Sequence, residues 1–412
     1  MPRLTLAVLA CFGLASPLAS AGDLNPPSGP LAPTMKTLQQ VEPRMPIDST
    51  NTPGDADSTY RIARPGSYYL TANLNGEFGK NGIKIDSSDV TIDLMGFEVF
   101  GVFGSLDAMV SVGGAAGITI RNGRITSWGD EGIDLVGSDN VVIEDVVVTG
   151  VAGYGVQTRY SAIIRGCTFV ACGASAVQTS EQSIVTDCVA EASAGSGFDL
   201  GWGSHIAGCV ATNNGSAGID TGNGTSVVNC STRGNSGGIR AGEGANISSC
   251  TSYQDNGIGI LAGEGTTVSG CTVRFSISTG ISLDDYAVAR GNTVSQSITD
   301  GIVVASNCAV IDNTVLEAGI GNGNFGHGIR VTGSDTRIES NQTTDCDVGY
   351  KIEGAGNLII RNSSSGNASH WDIAIGNRLA PIVVGGTNVA PVVGSAYAGG
   401  LGTTDPNANF TY

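Results

Sequence analysis

A chain of 412 residues is long enough for a large core, and 41% of its residues are hydrophobic against only 14% charged, with 62 glycines. Globular chains carry about 25% charged residues and about 7% glycine, so this composition speaks for repeated turns and close backbone approaches rather than long amphipathic helices. The net charge of −17 argues against nucleic acid, whose phosphates need a basic surface, and against an anionic polysaccharide unless a cation or a local Arg/Lys patch bridges the two.

In chain order, an export signal comes first. Arg3 supplies the positive charge, Leu4 to Leu14 the apolar stretch, and Ala19-Ser20-Ala21 a small-residue cleavage site. Residues 1–21 are therefore expected to be removed and the protein to be secreted, extracellular or periplasmic. A lipoprotein signal ending at Cys11 is the alternative. No later segment has 18 uninterrupted apolar residues, so no transmembrane segment is expected. Residues 22–59 form an extended Pro/Ser/Thr-rich leader without periodicity, and the segment from Gly66 to Leu70 reads as the first strand.

After that the sequence repeats. Units open at Gly132, Gly155, Ala176, Gly197, Gly218, Gly238, Gly259, Gly280, Gly301, Gly328 and Gly349, at steps of 20 to 23 residues apart from one of 27. A period this regular predicts a solenoid, and alternation inside each unit predicts strands rather than helices. Ile133, Val156, Val177, Phe198, Ile219, Ile239, Ile260, Ile281, Ile302 and Ile329 then form one buried stack, since a coil buries its apolar face only against its neighbours. A second strand follows each opening, as in Ile164 to Cys167, Val185 to Cys188 and Ile206 to Cys209.

Stacked Gly-Ile-x-Leu strands followed by Ile-x-x-Asn/Cys rungs resemble the right-handed parallel β-helix repeats of the pectin-lyase-like superfamily, over roughly Tyr60 to Asp372. The resemblance implies an all-β fold, a single-stranded right-handed parallel β-helix of about 12–14 coils with repeats of about 21 residues. The solenoid is assigned to residues 60–377. Residues 378–412, which lose the period and contain Pro381, Pro391 and Pro406, are assigned to an irregular C-terminal cap in which Phe410 and Tyr412 pack against the last coil and block edge pairing.

Ten cysteines in a secreted chain ordinarily suggest disulfides. Six of them, however, share one repeat position: Cys167, Cys188, Cys209, Cys230, Cys250 and Cys271. Asn292, Asn313, Asn341 and Asn362 follow at the same rung, where the resembling family places inward asparagine ladders. The cysteines are read as buried small fillers, because six equivalent sites give no preferred disulfide partner. No metal site is expected, since a linear file does not surround an ion tetrahedrally. The glycosylation sequons at Asn341 and Asn362 are discounted as interior.

The second residue after each opening glycine points outward, and from Asp134 to Arg240 this position is polar throughout. It reads Asp134, Gln157, Gln178, Asp199, Asp220 and Arg240. In the resembling enzymes the corresponding outer face lines the substrate groove. Asp199 and Asp220, roughly 5 Å apart by rung spacing, could hold Ca²⁺ or divide acid and nucleophile work on a glycosidic bond. Asp199, Asp220 and Arg240 are therefore the candidate catalytic residues. Asp134, Gln157, Gln178, Trp202 and His205 are the candidate substrate contacts, with Trp128 as a further aromatic near Asp134. The plain reading is that any exposed parallel strand carries such polar residues.

Gly326-His327-Gly328 and Asp284-Asp285 superficially match polygalacturonases. The Asn-Thr-Asp and Arg-x-Lys motifs of that family have no counterpart at suitable places, so the match is read as coincidence. Nor does the Arg-centred motif of pectate lyases map onto the chain. Glu243 and Glu264, in turns 21 residues apart, are read as solvated acids. Two functions compete: a carbohydrate-active protein (lyase, hydrolase or epimerase) contacting an extracellular polysaccharide, and a non-catalytic scaffold or adhesin. No cofactor is specified by the sequence, Ca²⁺ being the candidate, and a monomer is expected.

Overall fold

The computed structural model describes residues 42–111, 113–319, 326–384 and 404–412. The signal segment, Cys11 and most of the leader lie outside the described residues.

The chain winds as a right-handed parallel β-solenoid, without helices among the described residues. One sheet has fifteen strands and a second has thirty, and the strand pairings from coil to coil are parallel. Each regular coil gives one strand of three or five residues to the first sheet and two short strands to the second. The coil of Asp199, for example, runs Phe198–Leu200, then His205–Ala207 and Val210–Thr212. The second strand expected from the sequence therefore continues past its cysteine into a third. In the coils of Thr119–Thr126 and Val142–Thr149 these two strands are continuous, which is why both belong to one sheet.

The bend between the paired strands needs a residue with positive φ just before each cysteine or asparagine rung. Gly166, Asp187, Gly208, Asn229, Ser249 and Gly270 occupy that place with φ between 53° and 64°. Glycine, asparagine and aspartate tolerate the left-handed region best, so the sequence marks the bend where it occurs.

The fifteen-stranded sheet reaches that length because coils outside the regular period also contribute, among them Ser58–Ile62, Asn81–Ile85 and Met109–Ser111. The first paired strand is Met45–Pro46, which lies beside Tyr68 and Tyr69 and so precedes the Gly66–Tyr69 strand. The expected aliphatic stack is present, with each member from Ile133 to Ile329 almost completely buried. Burying one such side chain contributes about 1.5–3 kcal/mol, repeated at every coil.

The polar ladder runs as the rung positions imply. The Cys271 backbone N–H donates to Asn292 Oδ1 at 2.9 Å, Asn292 to Asn313 at 3.0 Å, Asn313 to Asn341 at 2.9 Å and Asn341 to Asn362 at 2.9 Å. Asn341 and Asn362 are buried, as expected of interior residues. The nine described cysteines are free and buried. The ladder then gains a rung from the tail, because the Asn362 N–H donates to Asn409 Oδ1 at 2.9 Å. Asn409–Thr411 pairs with Ser363–Ser365 and Ile382–Val384, and Trp371 Nε1–H donates to Thr411 Oγ1 at 2.9 Å. The described parts of the tail thus add strands to the thirty-stranded sheet, with Ala408 and Asn409 buried but Tyr412 64% exposed rather than packed as expected.

Candidate functional site

The outer lane of the fifteen-stranded sheet holds the six polar residues in direct register. Asp134 pairs with Gln157, Gln157 with Gln178, Gln178 with Asp199, Asp199 with Asp220, and Asp220 with Arg240. Gln157 Nε2 donates to Gln178 Oε1 at 2.5 Å, and Gln178 Nε2 reaches Asp199 Oδ2 at 3.4 Å. Burial pushes the Asp199 carboxyl above the usual carboxylate range against the Gln178 amide, which opposes it. Asp220 is also pushed up, mainly by burial, although Arg240 at 3.1 Å pulls it down and Asp199 adds repulsion. These two acids are neighbours on adjacent rungs but differ in partner: one faces an amide, the other a guanidinium.

A recess opens at Arg240, the last of the six lane residues. The segment from Asn214 to Ala217 spans three residue steps, and so does that from Asp255 to Ile258. The equivalent segment from Asn235 to Gly237 spans only two, as Asn214 aligns with Asn235 and Ala217 with Gly237. The missing residue leaves a cavity of about 230 Å³ lined by Ala217, Ser236, Gly237, Arg240, Ile258 and Leu261, among others. A Cβ added at Gly237 would meet no heavy atom within 4 Å, so the floor is open for lack of a side chain. The volume is below the ~300–1,000 Å³ of pockets that enclose drug-sized ligands. It suits one small ring with polar edges and an apolar face.

The aromatic and histidine expectations fare differently. Trp202 is 60% exposed. Its ring lies over Gly222, where an added Cβ would come within 2.2 Å of Trp202 Cδ1. Trp202 belongs to a row of turn residues continued by Asn223, Glu243, Glu264 and Asp285, linked by backbone bonds such as Gly203 N–H to Asn223 O at 2.9 Å and Gly244 N–H to Glu264 O at 2.7 Å. That row borders an open acidic cavity of about 540 Å³. His205 is not part of the turn that follows Asp199. It opens a strand of the thirty-stranded sheet, in register with Ile184 and Ser226, because the coil has already changed direction at Gly203. Trp128 is fully buried, with its Nε1–H donated to the Val99 carbonyl at 3.0 Å. It packs where added side chains at Gly76 and Gly82 would collide with it, so it is a core residue and no sugar platform.

Two further groups lie in a lane that sequence reading did not follow, two residues before each inward residue of the fifteen-stranded sheet. Asp107 precedes Met109 and Glu131 precedes Ile133 on adjacent coils. With Asp130 they bring carboxylate oxygens within 4.8 Å of one another. Burial, then hydrogen bonds with Asp107 and Asp130, push Glu131 up to about 8. Such a group shares a proton or takes a hard cation with oxygen ligands. The Ca²⁺ chemistry considered for Asp199 and Asp220 therefore finds a three-carboxylate grouping here.

In the same lane, Asp300 precedes Ile302 and His327 precedes Ile329. His327 Nδ1 lies 2.5 Å from Asp300 Oδ1, which also accepts the His327 backbone N–H at 3.0 Å. Arg330 lies 3.5 Å from Asp300 Oδ2 and 3.0 Å from Glu353. Burial raises Asp300, but the His327 bonds and the Arg330 charge outweigh it and hold the carboxyl below its usual value. Asp284 and Asp285 sit past the opposite end of their strand, Ile281–Leu283, where they line the acidic turn cavity. His327 and the Asp284-Asp285 pair therefore do not converge.

The model of the right handed beta helix region family matches residues 108–252. Among solved structures, the chain is similar to the A-module of the mannuronan C-5 epimerase AlgE6 of Azotobacter vinelandii, at 15% identity and a TM-score of 0.45, over 75% of this chain and 92% of that one. It is similar to a mutant tailspike protein of E. coli bacteriophage HK620 in complex with a pentasaccharide, at 11% identity and a TM-score of 0.46, over 84% and 72%. It is also similar to PfbA, a surface adhesin of Streptococcus pneumoniae, at 13% identity and a TM-score of 0.30, over 72% and 84%. No curated protein sequence matches the chain.

Proposed function

We propose that this is a secreted, monomeric β-helix protein that holds an extended glycan along the outer face of its fifteen-stranded sheet, at Asp199, Asp220 and Arg240. The observation that carries the reading is the recess at Gly237, opened by a one-residue deletion beside a continuous polar lane. Sugars present hydroxyls at their edges and C–H groups on their faces. Gln178, Asp199, Asp220 and Arg240 offer donors and acceptors for the former, while Ile258 and Leu261 offer apolar surface for the latter. With a net charge of −17, the preferred glycan is neutral, or anionic with a bridging cation.

Turnover is the finer reading, and the burial-raised Asp199 and Asp220 favour it. Asp199, without a cation beside it, is the better proton donor. Asp220, facing Arg240, is the better nucleophile. Adjacent rungs are ~4.8 Å apart, close to the ~5–5.5 Å separation of retaining rather than inverting glycosidases. The test is retention and product formation on a panel of neutral and uronate polysaccharides, with and without Ca²⁺. Retention that is lost in Asp220→Asn and Arg240→Ala supports glycan holding. New reducing ends or unsaturated products that vanish in Asp199→Asn add catalysis. Retention without product assigns a scaffold or adhesin role, and no retention on any glycan refutes the reading.

A further inference from the structure

The file of six thiols has a property that the sugar-facing surface does not use. Cys167, Cys188, Cys209, Cys230, Cys250 and Cys271 are free and 2% exposed or less. Val146, paired in the coil before, and Asn292, in the coil after, close the file at its two ends. Each sulfur stands where the ladder elsewhere has an amide oxygen: the Cys167 N–H donates to Cys188 Sγ at 3.4 Å, as the Cys271 N–H donates to Asn292 Oδ1 at 2.9 Å. Each Sγ also repeats one contact along the file, lying 3.5–3.8 Å from the carbonyl 23 or 24 residues before it. The sulfurs therefore form a single row at the rung spacing of ~4.8 Å.

A row cannot enclose a tetrahedral ion, but it suits a linear one. An ion midway between two sulfurs, with metal–sulfur bonds of ~2.3 Å as for a thiolate ligand, spans ~4.6 Å. That differs from the rung spacing by only a few tenths of an ångström. Soft thiolates select soft ions such as Cu(I). Charge limits the arrangement, because the file lies in an apolar core with Asp145 and Asp187 as nearby charges, and an uncompensated buried charge is costly. A monovalent ion bound by one thiolate and one thiol is neutral, the other thiol proton leaving to solvent. The retained S–H keeps an acceptor, since each Sγ already lies 3.2–3.5 Å from the carbonyl two residues before it.

We propose that the cysteine file is a binding site for soft, two-coordinate monovalent cations of the Cu(I) class, each bridging two successive rungs. Six thiols taken two at a time hold about three ions. Cys172, Cys308 and Cys346 have no thiol on an adjacent rung: Ser193, Thr336 and Asn367 follow them there. They hold none by this geometry.

The test is anaerobic loading of the reduced full chain with Cu(I) from its acetonitrile complex, followed by removal of loose ion with a chelator and metal analysis. Loading is done both by incubation and by refolding with the ion present, because the file is closed to solvent. Two double variants keep the same number of thiols, with valine as the replacement because Val146 already occupies that rung. Cys188→Val with Cys250→Val leaves only Cys209 and Cys230 adjacent and should hold about one ion. Cys167→Val with Cys271→Val leaves two adjacent pairs and should hold about two. Circular dichroism confirms that both are folded. Equal loading of the two variants, or no loading of the wild-type chain by either route, overturns the proposal.

Discussion

Replacing Asn313 tests the ladder that fixes the coils of this solenoid against one another. Its Oδ1 accepts the Asn292 backbone N–H at 3.0 Å and Asn292 Nδ2 at 2.9 Å, and its Nδ2 donates to the Ala289 carbonyl at 2.9 Å and to Asn341 Oδ1 at 3.0 Å. Asn313→Ala removes all four bonds at a site that is 1% exposed. At about 1 kcal/mol net for each bond, the loss is about 4 kcal/mol, with the Asn292 N–H left unpaired. Asn313→Cys should cost much less. Cys188 shows that a sulfur on this rung accepts the preceding backbone N–H at 3.4 Å and reaches the carbonyl 24 residues before it at 3.7 Å, and Ala289 has that same offset from Asn313. A cost below about 2 kcal/mol follows, sulfur being the weaker partner. Urea midpoints rank the variants, and native-state hydrogen exchange at the Asn292 amide reads the site itself, since long repeat arrays need not unfold in one step. If alanine and cysteine cost the same, or if alanine costs nothing measurable, the ladder is not what holds these rungs.

Gly237→Val should abolish glycan retention while leaving the melting temperature unchanged, because an added Cβ meets nothing within 4 Å yet fills the recess; undiminished retention would place the sugar elsewhere. Burial and shared hydrogen bonds raise Glu131 from 4.5 to about 8. The folded state therefore binds the extra proton, and stability should fall as pH rises from about 4.5 to about 8. Melting temperatures across that range should decline in the wild-type chain and decline less in Glu131→Gln, and identical slopes would refute the assignment. The nine described cysteines are free and buried, so a thiol reagent should find them unreactive in the native protein and fully titratable after unfolding under non-reducing conditions. A failure to titrate after unfolding would mean that they are oxidised.

The sequence by itself determined what a period can carry. Gly132 to Gly349 set the coils, the inward stack from Ile133 to Ile329 set the core, and the change from Cys271 to Asn292 set the ladder. Strand register follows from these because parallel stacking puts equal repeat positions at equal heights. The polar lane from Asp134 to Arg240 was legible for the same reason. The 20-residue step between Gly218 and Gly238 was visible too, but not that the lost residue falls at Ser236 and Gly237 and opens a recess at Arg240.

Tertiary structure decided whatever depends on where the coil turns. His205 is six residues after Asp199, yet it belongs to the other sheet. Trp128 is aromatic near a polar strand, yet a glycine-lined space in the core takes it. Asp107 with Glu131, and Asp300 with His327, meet because two irregular spacings, of 24 and 27 residues, still close one full coil. Asn409 joins the ladder from a segment that has lost the repeat altogether. Periodicity reports the positions that every coil shares; loops of unequal length decide which of the remaining side chains come together, and only the folded chain shows that.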